Sequence, residues 1–204
     1  MARNVMNAIP RTAWTRSRST TLLFVGGAIA GPVFVAVFLI EGATRAGYNP
    51  IRLPVSVLSV GADGWMQVVN FVVDGLLVLG FALGLARALR ERGTPSALGP
   101  LFLAIFALAI LGAGAFTTDP SAGFPPSTAP PVEPTTHAVI HDVVSVVGFT
   151  MLPLACLVFA RRFWTWRDPR WAAYSAITGA VLAVGFLVLI IGFNARTPFT
   201  GVTG

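Results

Sequence analysis

Five stretches of the chain, at residues 21–40, 65–86, 98–116, 138–160 and 171–193, run the ~20 residues that a helix needs to cross a bilayer core of about 30 Å. None carries more than one charged side chain, and the only two charges are Asp74 and Asp142. The 204 residues are 55% hydrophobic and 11% charged, where soluble domains carry roughly 25% charged residues. A water-soluble fold so poor in charge would expose an apolar surface that soluble monomers rarely show. The first stretch exceeds the ~7–15 residues of a signal-peptide core, and no A-x-A-like cleavage site follows it, so it reads as a span. The expected fold is therefore all-α, a polytopic transmembrane helical bundle of five spans. It divides into a basic arm at 1–20, one transmembrane domain at 21–194 and a short outer tail at 195–204.

The arginines orient the bundle. Arg3, Arg11, Arg16 and Arg18 precede span one; Arg87, Arg90 and Arg92 link spans two and three; Arg161, Arg162, Arg167 and Arg170 link spans four and five. Only Arg45, Arg52 and Arg196 fall on the opposite side. An excess of basic residues in short loops marks the cytoplasm, which places the N-terminus inside. Trp14, Trp164, Trp166 and Trp171 sit where an inner aromatic belt belongs, and Trp65 marks the outer one. The formal charge of +6 is thus a topology signal that can also hold anionic lipids, and no nucleic-acid partner is expected. Gly27 and Gly31, like Gly80 and Gly84, have the small-xxx-small spacing of close helix approach, while Pro32 and Pro153 should kink their helices. The lone Cys156 reads as a small buried hydrophobe.

Polar residues gather on the outer side. The loop expected at 41–64 holds Tyr48, Ser56 and Ser59, and the one at 117–136 holds Asp119 and six prolines, a composition that forms no helix. In span two, Gln67, Asn70 and Asp74 follow the i, i+3, i+7 spacing of one helical face. Asp74 lies nine residues past Trp65, about 13 Å deep at ~1.5 Å per residue, near the membrane midplane. A carboxylate there costs ~2.5–3.5 kcal/mol on insertion scales and should face the bundle interior. No basic residue lies in any span to pair with it. It is either a neutral acid hydrogen-bonded within the bundle or is reached by water from outside.

In span four, His137, His141 and Ser145 share a face, Asp142 points to the side, and Thr135 or Thr136 is the expected N-cap. A histidine pair one turn apart can hold a divalent metal such as zinc, with Asp119 or Asp74 supplying an oxygen. Two histidines fall short of a catalytic zinc's three protein ligands, and the glutamate of H-E-x-x-H is missing. Histidines satisfied by the loop and nearby carboxylates account for the pattern without a metal. Bis-histidine haem ligation is excluded, because these two, the only histidines present, cannot reach opposite faces of one ring.

Several of these residues fall in a longer pattern. Tyr48-Asn49-Pro50, Leu53-Pro54-Val55-Ser56-x-Leu58-Ser59 and Gly64-Trp65-x-Gln67-x-x-Asn70-Phe71, followed by Gly114-x-Phe116-x-x-Asp119-Pro120-x-x-Gly123-x-Pro125 and His137-x-x-x-His141-Asp142, resemble the bacterial and archaeal membrane family called domain of unknown function 998. The resemblance covers roughly residues 21 to 194. It implies a multi-pass protein of a bacterial plasma membrane, and, through the family's distant similarity to a eukaryotic group involved in lipid-anchor remodelling and membrane stress, lipid-related work by analogy of fold. It also implies six spans where this chain shows five. The expectation is a lost helix, a truncated sequence, or a helix supplied by a partner or a second copy.

Three functions fit these observations. The first is binding of a lipid or small molecule in an outward-facing polar pocket between spans two, three and four, lined by Tyr48, Ser56, Ser59, Trp65, Gln67, Asn70, Asp74 and Ser145. The second is a membrane-embedded, metal-assisted hydrolase or lipid-modifying enzyme, in which His137, His141 and Asp119 hold the ion and Asp74, Asp119 or Asp142 acts as ligand or general base. The third is a proton-coupled transporter using Asp74.

Overall fold

Inside a bilayer the backbone must satisfy its own hydrogen bonds, and the long apolar stretches do so as helices. The computed structural model describes residues 18–94, 96–121 and 123–196, the side chains of 193–196 excepted. Its elements in order are α1 (Arg18–Thr44), a short 3-10 helix η1 (Val55–Ser59), α2 (Trp65–Glu91), α3 (Leu98–Ala115), α4 (Thr136–Thr165) and α5 (Pro169–Arg196). Five of the described helices are long and apolar enough to cross a membrane, and the chain is a polytopic helical bundle. Trp14, Arg3, Arg11 and Arg16 lie outside the described residues, as does the tail from 197.

The helix ends follow local chemistry. Thr135 is the N-cap of α4, its hydroxyl accepting from the Ala138 amide at 3.2 Å. Pro169 opens α5, where a missing N–H costs nothing, and Asp168 accepts from the Trp171 amide at 3.3 Å. Helix α1 runs one turn beyond the expected span and ends where Thr44 donates back to the Ile40 carbonyl at 2.9 Å. Glu41 is therefore a helical residue rather than the first residue of a loop.

Each helix packs chiefly on its neighbour in sequence, α1 on α2, α2 on α3, α3 on α4 and α4 on α5. The α1–α2 seam is set by glycines: Gly84 and Gly80 lie against Leu23, and Gly27 against Phe81. Gly31, the second glycine of its expected pair, has nothing within 4 Å of where a Cβ would be. The α2–α3 seam is built the same way, with Gly75 against Leu111 and the Ala107 carbonyl, and Gly114 against Phe71. This alternation puts the described arginines 18, 87, 90, 92, 161, 162, 167 and 170 at one end of the bundle. There Arg162 donates to the Thr94 carbonyl and lies 4.6 Å from the Trp166 ring. Residues 45–64, 116–121 and 123–135 form a cap over the other end.

Candidate functional site

The face of α1 that meets α2 carries Leu23, Gly27 and Phe34. Glu41 follows Leu23 by eighteen residues, five turns at ~3.6 residues per turn, so the same seam carries a carboxylate to the capped end. Across it, α2 buries Gln67, Asn70 and Asp74, the face expected from their spacing. Helical side chains lean toward their own N-terminus. In this antiparallel pair Glu41 therefore leans down from the cap and Gln67 leans up toward it.

The roof over this seam comes from both loops. Leu53, Val57, Leu58 and Phe124 form a buried cluster, with Phe38 and Tyr48 packed against it. The Tyr48 and Phe124 rings meet edge to face, centroids 5.8 Å apart, and Tyr48 lies against the Cα of Gly42. Arg45 ties the roof down: Nη1 donates to the Leu58 carbonyl and Nη2 to the Val60 carbonyl at 2.6 Å, while the guanidinium sits 4.9 Å from the centre of the Phe124 ring. Two glycines seat the prolines that follow Phe124. Gly47 and Gly61 have φ of 82° and 86°, a region closed to most side chains. A Cβ on Gly47 would meet Pro126 at 3.1 Å, and one on Gly61 would meet Pro125 at 2.9 Å.

Beneath the roof the polar groups do not balance. Glu41 is 3% exposed and Gln67 0%. Both Glu41 carboxylate oxygens, the Tyr48 hydroxyl and Gln67 Nε2 are buried without a hydrogen-bond partner among the described residues. Arg45 Nη1 stands 3.6 Å from Glu41 Oε1, an ion-pair distance but too long for a hydrogen bond. Gln67 Oε1 is satisfied by Asn70 Nδ2 at 3.2 Å, which also donates to the Phe34 carbonyl at 3.1 Å. Ser59 donates to the Ser56 carbonyl at 2.7 Å. The capped end thus holds two unmet acceptors on α1, an unmet amide donor on α2 and an unmet phenol from the roof.

Burial, and then the adjacent Glu41 carboxylate, hold the Tyr48 phenol above its ordinary value. A raised folded-state value means that this stability contribution is complete below the unfolded phenol's ~10 and is lost as pH rises through the folded value. The chain has two tyrosines, so Tyr174→Phe isolates Tyr48. Its tyrosinate absorbance should rise at a higher pH than that of a free phenol, and adding Glu41→Gln should move the midpoint back down. An unmoved midpoint would mean that Glu41 does not act on this ring.

The other residues singled out from sequence are held apart from this cluster or turned to structural work. Asp119 accepts from the Thr135 amide at 2.8 Å and the Thr135 hydroxyl at 2.7 Å, fastening the start of α4. His141 is buried, and its Nδ1 donates to the Phe116 carbonyl at 2.7 Å and lies 3.2 Å from the Ala113 carbonyl, satisfying the C-terminal end of α3. His137 is exposed, its ring 5.4 Å from that of Phe116. Asp142 is exposed on α4 and Ser145 partly buried. Trp65 is exposed. Asp74 is buried on the α2 face with no charged group acting on it. Among the described residues no three His, Cys, Asp or Glu side chains are grouped to hold a metal ion; Asp119 is engaged with Thr135, and His141 with the Ala113 and Phe116 carbonyls. On the α2–α3 side Gly75 packs against Leu111 and the Ala107 carbonyl. The buried atoms without a hydrogen-bond partner at this end lie on α1, on α2 and in the loop that carries Tyr48.

Sequence reasoning passed over Glu41 and Arg45. The signal was the eighteen-residue interval from Leu23, which keeps Glu41 on the packed face although hydropathy ends at Ile40. No curated protein and no solved structure matches this chain. The capped helical bundle, with Tyr48, Ser59, Gln67 and Asn70 at its polar cluster, carries the motifs that first suggested a family, and that family's sequence model matches residues 28–204, so the chain belongs to the family described as protein of unknown function, DUF998.

Proposed function

We propose that this membrane protein binds the polar part of a lipid or small molecule in the cluster beneath Phe124, at the end of the bundle that faces away from the cytoplasm. The observation that carries the reading is the set of buried atoms on Glu41, Tyr48 and Gln67 that have no hydrogen-bond partner among the described residues, the Glu41 carboxylate keeping only its ion pair with Arg45. Leaving a buried polar group unsatisfied costs about 1–3 kcal/mol, and native proteins keep few such groups without a role. The unmet set is mixed. Two carboxylate oxygens accept, the amide donates, and the phenol does either. Its complement is a molecule with both hydroxyl-type donors and acceptors. The site is closed in this conformation, so the ligand enters by displacement of the cap.

Gln67→Leu tests this. The substitution removes the unmet donor at nearly constant size and gives up the Asn70 hydrogen bond, worth about 1 kcal/mol. Protein purified in mild detergent and examined by native mass spectrometry should carry a bound molecule that Gln67→Leu and Glu41→Gln each reduce at least tenfold. A wild type that carries no molecule, together with a Gln67→Leu protein of higher melting temperature, would mean that the cluster is dry and the reading fails.

A further inference from the structure

The loop after α1 makes a second feature, separate from the capped cluster. Where it comes over the last turns of α5, an open groove of about 250 Å³ lies between Arg52, Leu53 and Pro54 on one side and Val188, Leu189 and Gly192 on the other. A Cβ on Gly192 would meet nothing within 4 Å, which leaves that wall unfilled. Gly192 follows Pro169 by twenty-three residues, about 35 Å along the axis at ~1.5 Å per residue. That is just beyond the ~30 Å of a hydrocarbon core. The groove mouth therefore stands at head-group level, and Val188 and Leu189, about one turn below, stand at the level of the upper acyl chain. Both of these side chains are exposed.

The charge of the groove is specific. Of the two arginines in this loop, Arg45 is committed to the Leu58 and Val60 carbonyls. Arg52 is exposed, and its guanidinium has no hydrogen-bond or ion-pair partner among the described residues. No acidic residue lines the groove. A guanidinium recognises phosphate through parallel N–H donors, whereas an ammonium head group finds no carboxylate here. Helices α1 and α5 each pack chiefly on one neighbour, so the apolar wall continues down α5 along exposed Val181 and Val184.

We propose that this groove is a binding site for one anionic glycerophospholipid of the adjacent leaflet, its phosphate on Arg52 and an acyl chain along Val188 and Leu189. The site is independent of the Glu41 cluster, although Leu53 walls both. The experiment uses full-length protein in mixed micelles holding equal amounts of phosphatidylglycerol and phosphatidylcholine, read by native mass spectrometry. Wild type should retain one phosphatidylglycerol at least fivefold over phosphatidylcholine. Arg52→Gln should abolish the preference, and Gly192→Trp, which fills open space, should lower retention of both lipids. Glu41→Gln should leave the preference intact, which separates this site from the capped one. Equal retention of the two lipids by wild type, unchanged retention in both groove variants, or displacement of the lipid by millimolar inorganic phosphate would each overturn the proposal.

Discussion

Arg45→Ala should lower the stability of the detergent-solubilised protein by about 3–5 kcal/mol, the usual cost of removing one partner from a buried ion pair. The pair qualifies, since its side chains are 9% and 3% exposed. Two roof carbonyls, those of Leu58 and Val60, lose their donor as well. Much of the loss comes from stranding the Glu41 carboxylate without a counter-charge. Adding Glu41→Gln to Arg45→Ala should therefore recover more than half of it, whereas Glu41→Gln alone should cost less than Arg45→Ala, because the guanidinium keeps the Leu58 and Val60 carbonyls. A double-mutant cycle read by thermal unfolding checks this. Strict additivity would show that Arg45 acts only through the roof carbonyls and that Glu41 is not charged in the folded protein.

Gly64→Ala should be nearly as damaging. Gly64 precedes α2 and lies so close under the end of η1 that a Cβ would overlap the Ser59 carbonyl group and crowd the Val60 amide. These are backbone atoms, which cannot rotate away as a side chain can. The expected loss is about 3 kcal/mol, at the upper end for overpacking. Gly31→Ala is the matched control, with nothing within 4 Å of its Cβ, and should stabilise α1 by about 0.5–1 kcal/mol through helix propensity. If the two alanines had equal effects on the melting temperature, the close approach of Gly64 to η1 would not exist in the protein.

The five helices were legible because a charge inside lipid is costly, which leaves long uncharged stretches unmistakable in a chain so poor in charge. The buried face of Gln67, Asn70 and Asp74 was legible too, since spacing alone decides which residues share a helical side. Glu41 was not, because a hydropathy window stops at the first charge while the helix and its packed face continue. The fate of the histidine pair was hidden for a different reason. The i, i+4 spacing put both on one side of α4, but the partners of His141 are the carbonyls of Ala113 and Phe116. Main-chain acceptors at another helix's end leave no mark in the sequence. Asp119 is similar, its use set by the position of Thr135, sixteen residues on. The fit of one helix on the next was the least legible point, because the gap between them depends on which glycine meets which side chain.

The seating of Pro125 and Pro126 on Gly61 and Gly47 bears on how the molecule is made. Each helix docks on the one synthesised just before it, so the bundle grows as a succession of hairpins with short-range closure at every step. The proline seats instead join positions 64 and 79 residues apart, and they cannot form until α3 has crossed the membrane. Until then the polar end of the first hairpin stands open to water, and Glu41, Tyr48 and Gln67 remain hydrated. Any molecule present at that surface while the fourth helix is being inserted can be enclosed as the roof comes down.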